Sequence, residues 1–266
     1  QKNIFYTIIG DLSKEETQTL LETYFSRLPK EGPLTPPVTQ PLSFPSNGVV
    51  FHKFDAPTTY FMARFAAPSI QNEDYPPLSL ALQILDNRLF EEVRTKRGLT
   101  YAVSASMGFS RVNAGLLYVT STKLKEAVEV MMTEVKRMQT EAIEPETIEL
   151  QIRKFTSNWL LGRETSSSQT RILSMYEMIG GGWANANSFI DRLSKVTPAD
   201  IQRVSQKYLQ NFLIGMSGPE MIDLSASFPG AKLIGEKQAG KAKPTSSRVK
   251  KSKTKASSTP KKKKGL

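Results

Sequence analysis

The residues that most restrict the fold lie between 78 and 109, where one periodicity stops and another begins. Leu78, Leu82, Leu85, Leu89 and Val93 recur at steps of three and four, the mark of a helix with one buried face. Gly98 follows, the residue best able to leave a helix at positive φ. Tyr101 to Phe109 (YAVSASMGF) then mixes aromatic, β-branched and small residues with partial alternation, which reads as a strand. A chain that reverses at Gly98 brings Arg94, in the last helical turn, near Tyr101 at the strand start. A fixed cation and a phenol converging on one spot can hold a carbonyl oxygen or a carboxylate. The plainer reading is a basic turn complementing the helix dipole, followed by an ordinary strand tyrosine.

The same period-two and period-3.6 patterns extend in both directions. Val49 to Phe54, Thr59 to Ala66, Ala114 to Ser121 and Phe212 to Ser217 read as strands. Helices are expected over Pro76–Thr95, Leu124–Thr140, Pro145–Leu161, Ser167–Met178, Ser188–Val196 and from Thr197-Pro198-Ala199-Asp200 to Leu209. Met131, Met132 and Met138 sit on the apolar side of their helix and are core positions. Strands followed by a cluster of helices predict an α+β domain, a mostly antiparallel sheet with helices packed on one face.

Ahead of it, Asn3 to Gly10 reads as a strand, and Ser13 with Glu16 three residues on opens a helix with capping-box spacing. Leu20, Leu21, Tyr24, Phe25 and Leu28 form its apolar stripe. Prolines at 29, 33, 36, 37, 41 and 45 then remove backbone donors and fix φ, so neither helix nor central strand persists there. The expected organisation is therefore 1–29, a strand and helix; 30–47, a Pro-rich linker; 48–222, the main domain; and 223–266, a low-complexity, disordered Lys-rich tail.

The formal charge of +11 belongs to that tail. Twelve basic residues and no acidic one follow Glu236, which leaves the first 236 residues close to neutral. Such a segment cannot offset its ordering entropy by burial. Its lysines can exchange counterions with nucleic acid or an anionic surface. No aromatic residue follows Phe228, so stacked bases have no platform, and a solvated tail is the favoured reading. No apolar run reaches the length of a membrane helix, and the absence of cysteine excludes disulfides and thiolate metal sites.

Other candidate chemistry is thin. His52 is the only histidine, on an early strand and without a histidine or cysteine partner. Ile179-Gly-Gly-Gly-Trp183 lacks the preceding strand and following Lys-Ser/Thr of a phosphate loop and reads as a helix C-cap and turn. Glu91 and Glu92 are adjacent on a helix and belong to a solvated face. Arg163, Glu164, Thr165 and serines 166 to 168 make a polar helix junction with no histidine base to activate a nucleophile.

The stretch Asp86-Asn-Arg-Leu-Phe-Glu-Glu-Val-Arg-Thr-Lys-Arg-Gly-Leu-Thr-Tyr-Ala-Val103 closely resembles the C-terminal half of the M16 metallopeptidases. This is the pitrilysin/insulinase family, which includes mitochondrial processing peptidases. Its members carry a similar RLF-x-E-x-R-x-K-x-G-L-x-Y run, whose arginine and tyrosine fall on Arg94 and Tyr101. The resemblance continues to about Ser217. Where many relatives have a glycine-rich stretch before that run, this chain has Ile84-Leu85-Asp86-Asn87-Arg88.

The resemblance implies an M16 (LuxS-metallohydrolase-like) fold, with residues 1–29 closing a truncated N-terminal M16-like domain and docked on it. It also implies a clamshell metalloendopeptidase of the two-domain, single-chain bacterial size class. The other half would carry zinc, while Arg94 binds the peptide substrate and Tyr101 serves binding and catalysis. The family's His-x-x-Glu-His is absent here, so zinc is expected only from the N-terminal half or a partner subunit, and the chain is expected to be inactive alone. A non-catalytic partner subunit or interaction protein, with a polyanion-binding tail, is the alternative. Periplasm and cytoplasm both stay open.

Overall fold

The computed structural model describes residues 4–28 and 40–234. Its centre is a six-stranded sheet: β1 Gly48–Lys53, β2 Thr59–Ala67, β3 Ala102–Met107, β4 Asn113–Ser121, β5 Leu213–Gly218 and β6 Lys232–Leu233. The spatial order is β3-β4-β2-β5-β1-β6. β2 pairs antiparallel with β4 and β5, and β3 pairs antiparallel with β4. β1 lies parallel to β5 and β6. The sheet is mixed, with antiparallel pairs in the majority.

Alternation sets which face is dry. In β2, Phe61, Ala63 and Phe65 are buried while Tyr60, Met62 and Arg64 point outward. In β4, Leu117 and Val119 continue the buried face, and Phe61 stands opposite Val119 and Met216. Gly115 is required by a close approach, because a Cβ there would lie 1.9 Å from the Phe65 ring.

The helices are α1 Lys14–Phe25, α2 Tyr75–Leu89, α3 Leu124–Thr140, α4 Pro145–Leu161, α5 Ser166–Ile179, α6 Asn185–Leu193 and α7 Pro198–Tyr208. α2 packs on β3 and also touches α3, α4, α6 and α7; α3 reaches β4 and α7 reaches β2. Three expected helices are displaced. α6 starts three residues early because it emerges straight from the glycine turn, with Asn185 N–H donating to the Gly182 carbonyl at 3.1 Å. α5 is longer by a residue at each end. The helix expected to run to Thr95 is α-helical only to Leu89 and continues as a π-helical segment, Phe90–Thr95.

Two expectations at the ends of the domain are corrected. The strand read over residues 3–10 is not formed among the described residues, since no strand lies alongside to complete a ladder. Ile4, Phe5, Tyr6 and Ile8 are exposed. α1 forms with the expected capping box of Ser13 and Glu16, yet buries none of its residues; the Tyr6 and Phe25 rings meet with 4.6 Å between centroids. At the other end, the tail begins later than residue 223. Leu224 and Phe228 are buried, Phe228 stacks on Phe61 at 5.9 Å, and β6 extends the sheet beside β1. Two apolar residues twelve or fewer positions before Glu236 were enough to draw the chain back onto the core. Residues 235–266 and 29–39 lie outside the described residues.

Candidate functional site

The reversal after α2 is built in three steps. The π-helical segment closes with wide bonds such as Lys96 N–H to the Glu91 carbonyl, 2.9 Å, a geometry that in helices frequently marks functional positions. Gly98 then adopts φ 59°, and Leu99 N–H returns to the Val93 carbonyl at 3.0 Å. Val93 and Leu99 are buried and anchor the turn. Finally the turn is tied to β4: Ser121 Oγ donates to the Leu99 carbonyl at 2.5 Å, and Thr100 Oγ1 to the Thr120 carbonyl at 2.5 Å.

This frame places Arg94 between two rings. Its guanidinium carbon lies 4.8 Å from the Phe90 centroid and 4.7 Å from the Tyr101 centroid. Tyr101 is 82% exposed. Among the described residues neither the Arg94 guanidinium nor the Tyr101 hydroxyl has a hydrogen-bond or ion-pair partner, so the donors of both face solvent. Aromatic faces hold a guanidinium by its flat side and leave its N–H edge for an oxygen ligand.

The neighbouring charges are spoken for. Glu92 accepts from Lys96 at 2.7 Å and from Arg97 at 2.6 Å. Hydrogen bonds from Lys96, then Arg97, hold its carboxyl down at about 2. Glu92 is thus a brace within the basic turn rather than part of a merely solvated face, while Glu91 is exposed. Arg94 is the one cation of this turn left without a carboxylate among the described residues.

The remaining sequence candidates separate from this site. His52 is exposed on β1, opposite Ser217. Among the described residues no group of three or more His, Asp or Glu is placed to hold a metal ion. With a lone exposed imidazole and no cysteine, the donor set of this chain does not fit zinc. Thr165 caps α5 by accepting from Ser168 N–H at 3.2 Å, so the serine junction is a helix start. Gly180 to Gly182 form the C-terminal turn of α5, with Gly180 and Gly182 N–H both reaching the Tyr176 carbonyl. No described helix is long and apolar enough to cross a membrane. The Lys-rich segment from 237 lies outside the described residues.

One cluster escaped the sequence altogether. Asp74 precedes α2 as its N-cap, but the second and third helical residues, which a cap would serve, are Pro76 and Pro77 and have no N–H. Its carboxylate turns instead to α7, accepting from Arg203 at 2.5 Å, Lys207 at 2.7 Å and the Tyr208 hydroxyl at 2.8 Å. Asp74 is 1% exposed. Burial works to raise its carboxyl and is outweighed by hydrogen bonds from Lys207, Arg203 and Tyr208, which bring it to about 2. The proline pair was a usable signal for a carboxylate with nothing local to cap.

Comparison with known proteins places this arrangement. A family described as the peptidase M16 inactive domain matches residues 1–155, more than half of the chain. Over 130 residues the chain is 25% identical to an uncharacterized zinc protease of Streptomyces coelicolor, a match spanning 47% of this chain and 28% of that protein. In three dimensions it resembles a peptidase M16 inactive domain from Pseudomonas fluorescens, with TM-score 0.66 and 22% identity over 80% of this chain and 53% of that one. It also resembles a protease from Helicobacter pylori, with TM-score 0.70 and 12% identity over 79% and 54%. At these identities the structural likeness speaks for the fold. The chain spans between about a quarter and about half of the length of these relatives.

Proposed function

The chain belongs to the peptidase M16 family, as an inactive domain of zinc-protease-like proteins, and from that premise we propose that it is the substrate-gripping half of a metalloendopeptidase. The observation that carries the reading is Arg94, clasped between Phe90 and Tyr101 with its donors free on the surface. A guanidinium so held binds a peptide carbonyl or carboxylate through two parallel N–H donors. The exposed Tyr101 hydroxyl donates to the scissile carbonyl as negative charge develops on its oxygen. Neither residue generates a nucleophile, and no group of the described residues is placed to hold a metal. Zinc therefore belongs to an N-terminal M16 domain or a partner chain. The exposed face of α1, with Leu20 and Tyr24, is where residues 1–29 would dock on that domain.

The test pairs the chain with a zinc-bearing M16 domain and compares Tyr101→Phe with the unaltered protein on a peptide substrate. Loss of one oxyanion donor lowers kcat/KM by about a hundredfold. An unchanged kcat/KM removes Tyr101 from catalysis. A second reading, which the absence of a metal donor cluster among the described residues fits equally, is a non-catalytic partner subunit. In that case Arg94→Ala would weaken peptide binding while Tyr101→Phe changes nothing. A polyanion-binding role for residues 237–266 predicts binding that weakens steeply with salt and disappears when they are deleted.

A further inference from the structure

One face of the sheet is dry and the other is not. Phe61, Phe65 and Val119 mark the dry face, and strand register fixes what the opposite face carries. There Tyr60 stands between Thr120 and Ser217, Met62 between Tyr118 and Gly215, and Arg64 between Leu116 and Leu213. Val50 lies beside Gly215, one strand further on. Tyr60 is 44% exposed, Met62 36% and Val50 40%, while Leu116, Tyr118 and Leu213 are half-buried. A contiguous apolar surface therefore runs across β4, β2, β5 and β1, and an exposed patch of that kind marks an interaction surface.

The same chain carries a helix with the complementary defect. α1 buries none of its residues, and Leu20 and Tyr24, one turn apart, are exposed on one side of it. Length and charge both match this helix to the face. The 12 residues of α1 make a rod about 18 Å long. Strands spaced about 4.8 Å apart set β4 about 14 Å from β1, so α1 laid across them covers the patch from end to end. Strands β1 to β5 hold no acidic residue. Arg64, in the middle of the face, has no carboxylate partner among the described residues. α1 carries Glu15, Glu16 and Glu22 against a single Lys14.

We propose that the bare sheet face is a homodimer interface, on which α1 of a second copy lies across Tyr60, Met62 and Val50. The pair is isologous: α1 of each protomer takes the sheet of the other, so every contact occurs twice. The apolar side of the helix covers the apolar strip, and its acidic flank meets Arg64. No part of this rests on the Arg94 turn. It does use the side of α1 that an N-terminal M16 domain would take, so the two partners exclude one another. A chain that proves monomeric leaves α1 to that domain and the peptide-binding reading untouched.

Sedimentation velocity on the full chain alone, at rising concentration, reads the association, and a monomer–dimer equilibrium is expected. Met62→Glu on the sheet and Leu20→Glu on α1 should each raise the dimer dissociation constant more than about a hundredfold, because the symmetric pair buries the new carboxylate twice. Both side chains are exposed in the protomer, so each variant should fold with its Tm within about 2 °C of the unaltered chain. Mixing the two variants separates helix-on-sheet from other contacts. The Met62→Glu chain keeps a sound helix and the Leu20→Glu chain a sound sheet face, so the mixture should associate more tightly than either variant alone. A chain that stays monomeric at every concentration overturns the proposal. So does a dimer that Leu20→Glu leaves intact, which would be sheet against sheet, and so does a mixture that gains nothing over its components.

Discussion

The two ends of α2 carry opposite solutions to the same problem. At its start, buried Asp74 is surrounded by Arg203, Lys207 and Tyr208, and both of its carboxylate oxygens accept hydrogen bonds. At its far end, Arg94 lies between rings with its donors unanswered, although Glu92 stands two residues away and is fully engaged by Lys96 and Arg97. A cluster that is satisfied inside the chain is structural; it ties α2 to α7. A cation that the fold stiffens but leaves without a counter-ion is positioned for something outside the chain. The difference teaches that satisfaction, more than charge or burial, separates scaffold from site.

The comparison breaks most visibly at Asp74. Asp74→Ala leaves two cations and a hydroxyl facing an empty buried position. The expected loss is about 3 kcal/mol, the low end for a broken buried pair because Arg203 and Lys207 remain half exposed and can rehydrate. For a domain of this size that lowers Tm by about 9 °C in thermal unfolding. A shift under 2 °C, no more than an ordinary surface substitution gives, would show that the cluster is ornamental.

Acid sharpens the same contrast. The Asp74 carboxyl is depressed to about 2 from an ordinary 3.8. A depressed acid contributes its stability above the unfolded value and loses it as pH falls through the folded one. Unfolding free energy should therefore drop by about 2 kcal/mol between pH 5 and pH 2 from this residue. Urea titrations across that window should show a shallower decline in Asp74→Ala than in the unaltered chain. Parallel declines would place the acid sensitivity elsewhere.

Sequence periodicity and structure agree where a single element carries its own information. The stripe from Leu78 to Val93, the capping box at Ser13 and Glu16, the alternation of β2 and the reversal at Gly98 are local patterns, and each is legible. The partners of Asp74 lie 129 to 134 residues away, and no periodicity spans such a gap. The π-helical turn at Phe90–Thr95 hides within an otherwise helical pattern, because one extra residue per turn barely disturbs an apolar stripe. β6 has two residues, too few for an alternation to register. The meeting of Arg94 with Tyr101 was readable; Phe90 as the second ring depended on the turn geometry.

A smaller effect is expected at Gly98, the hinge that creates the open end of the comparison. Its φ of 59° is left-handed, while a Cβ there would meet nothing within 4 Å. Gly98→Ala should thus cost about 1 kcal/mol, purely from backbone conformation. The same substitution should reduce peptide binding, because a relaxed turn separates Arg94 from Tyr101. A stability loss well above 2 kcal/mol would indicate steric crowding that the open space around Gly98 does not provide.

The least disturbance to the fold should come from Arg94 itself, and that is what distinguishes it from Asp74. Arg94→Ala removes two exposed ring contacts and no hydrogen bond or ion pair with a described residue. Such contacts are worth about 0.5 kcal/mol each at the surface, and the rings can then close on one another. The change in Tm should be within about 3 °C, while affinity for an extended peptide, followed by calorimetry on the full chain, should fall about tenfold. The ratio of these two effects is the sharp quantity. A residue maintained for the fold gives a large stability loss and an unchanged affinity, as Asp74→Ala should. A residue held out for a ligand gives the reverse, and an Arg94→Ala protein that is both unstable and unaltered in binding would put the two ends of α2 in the same class.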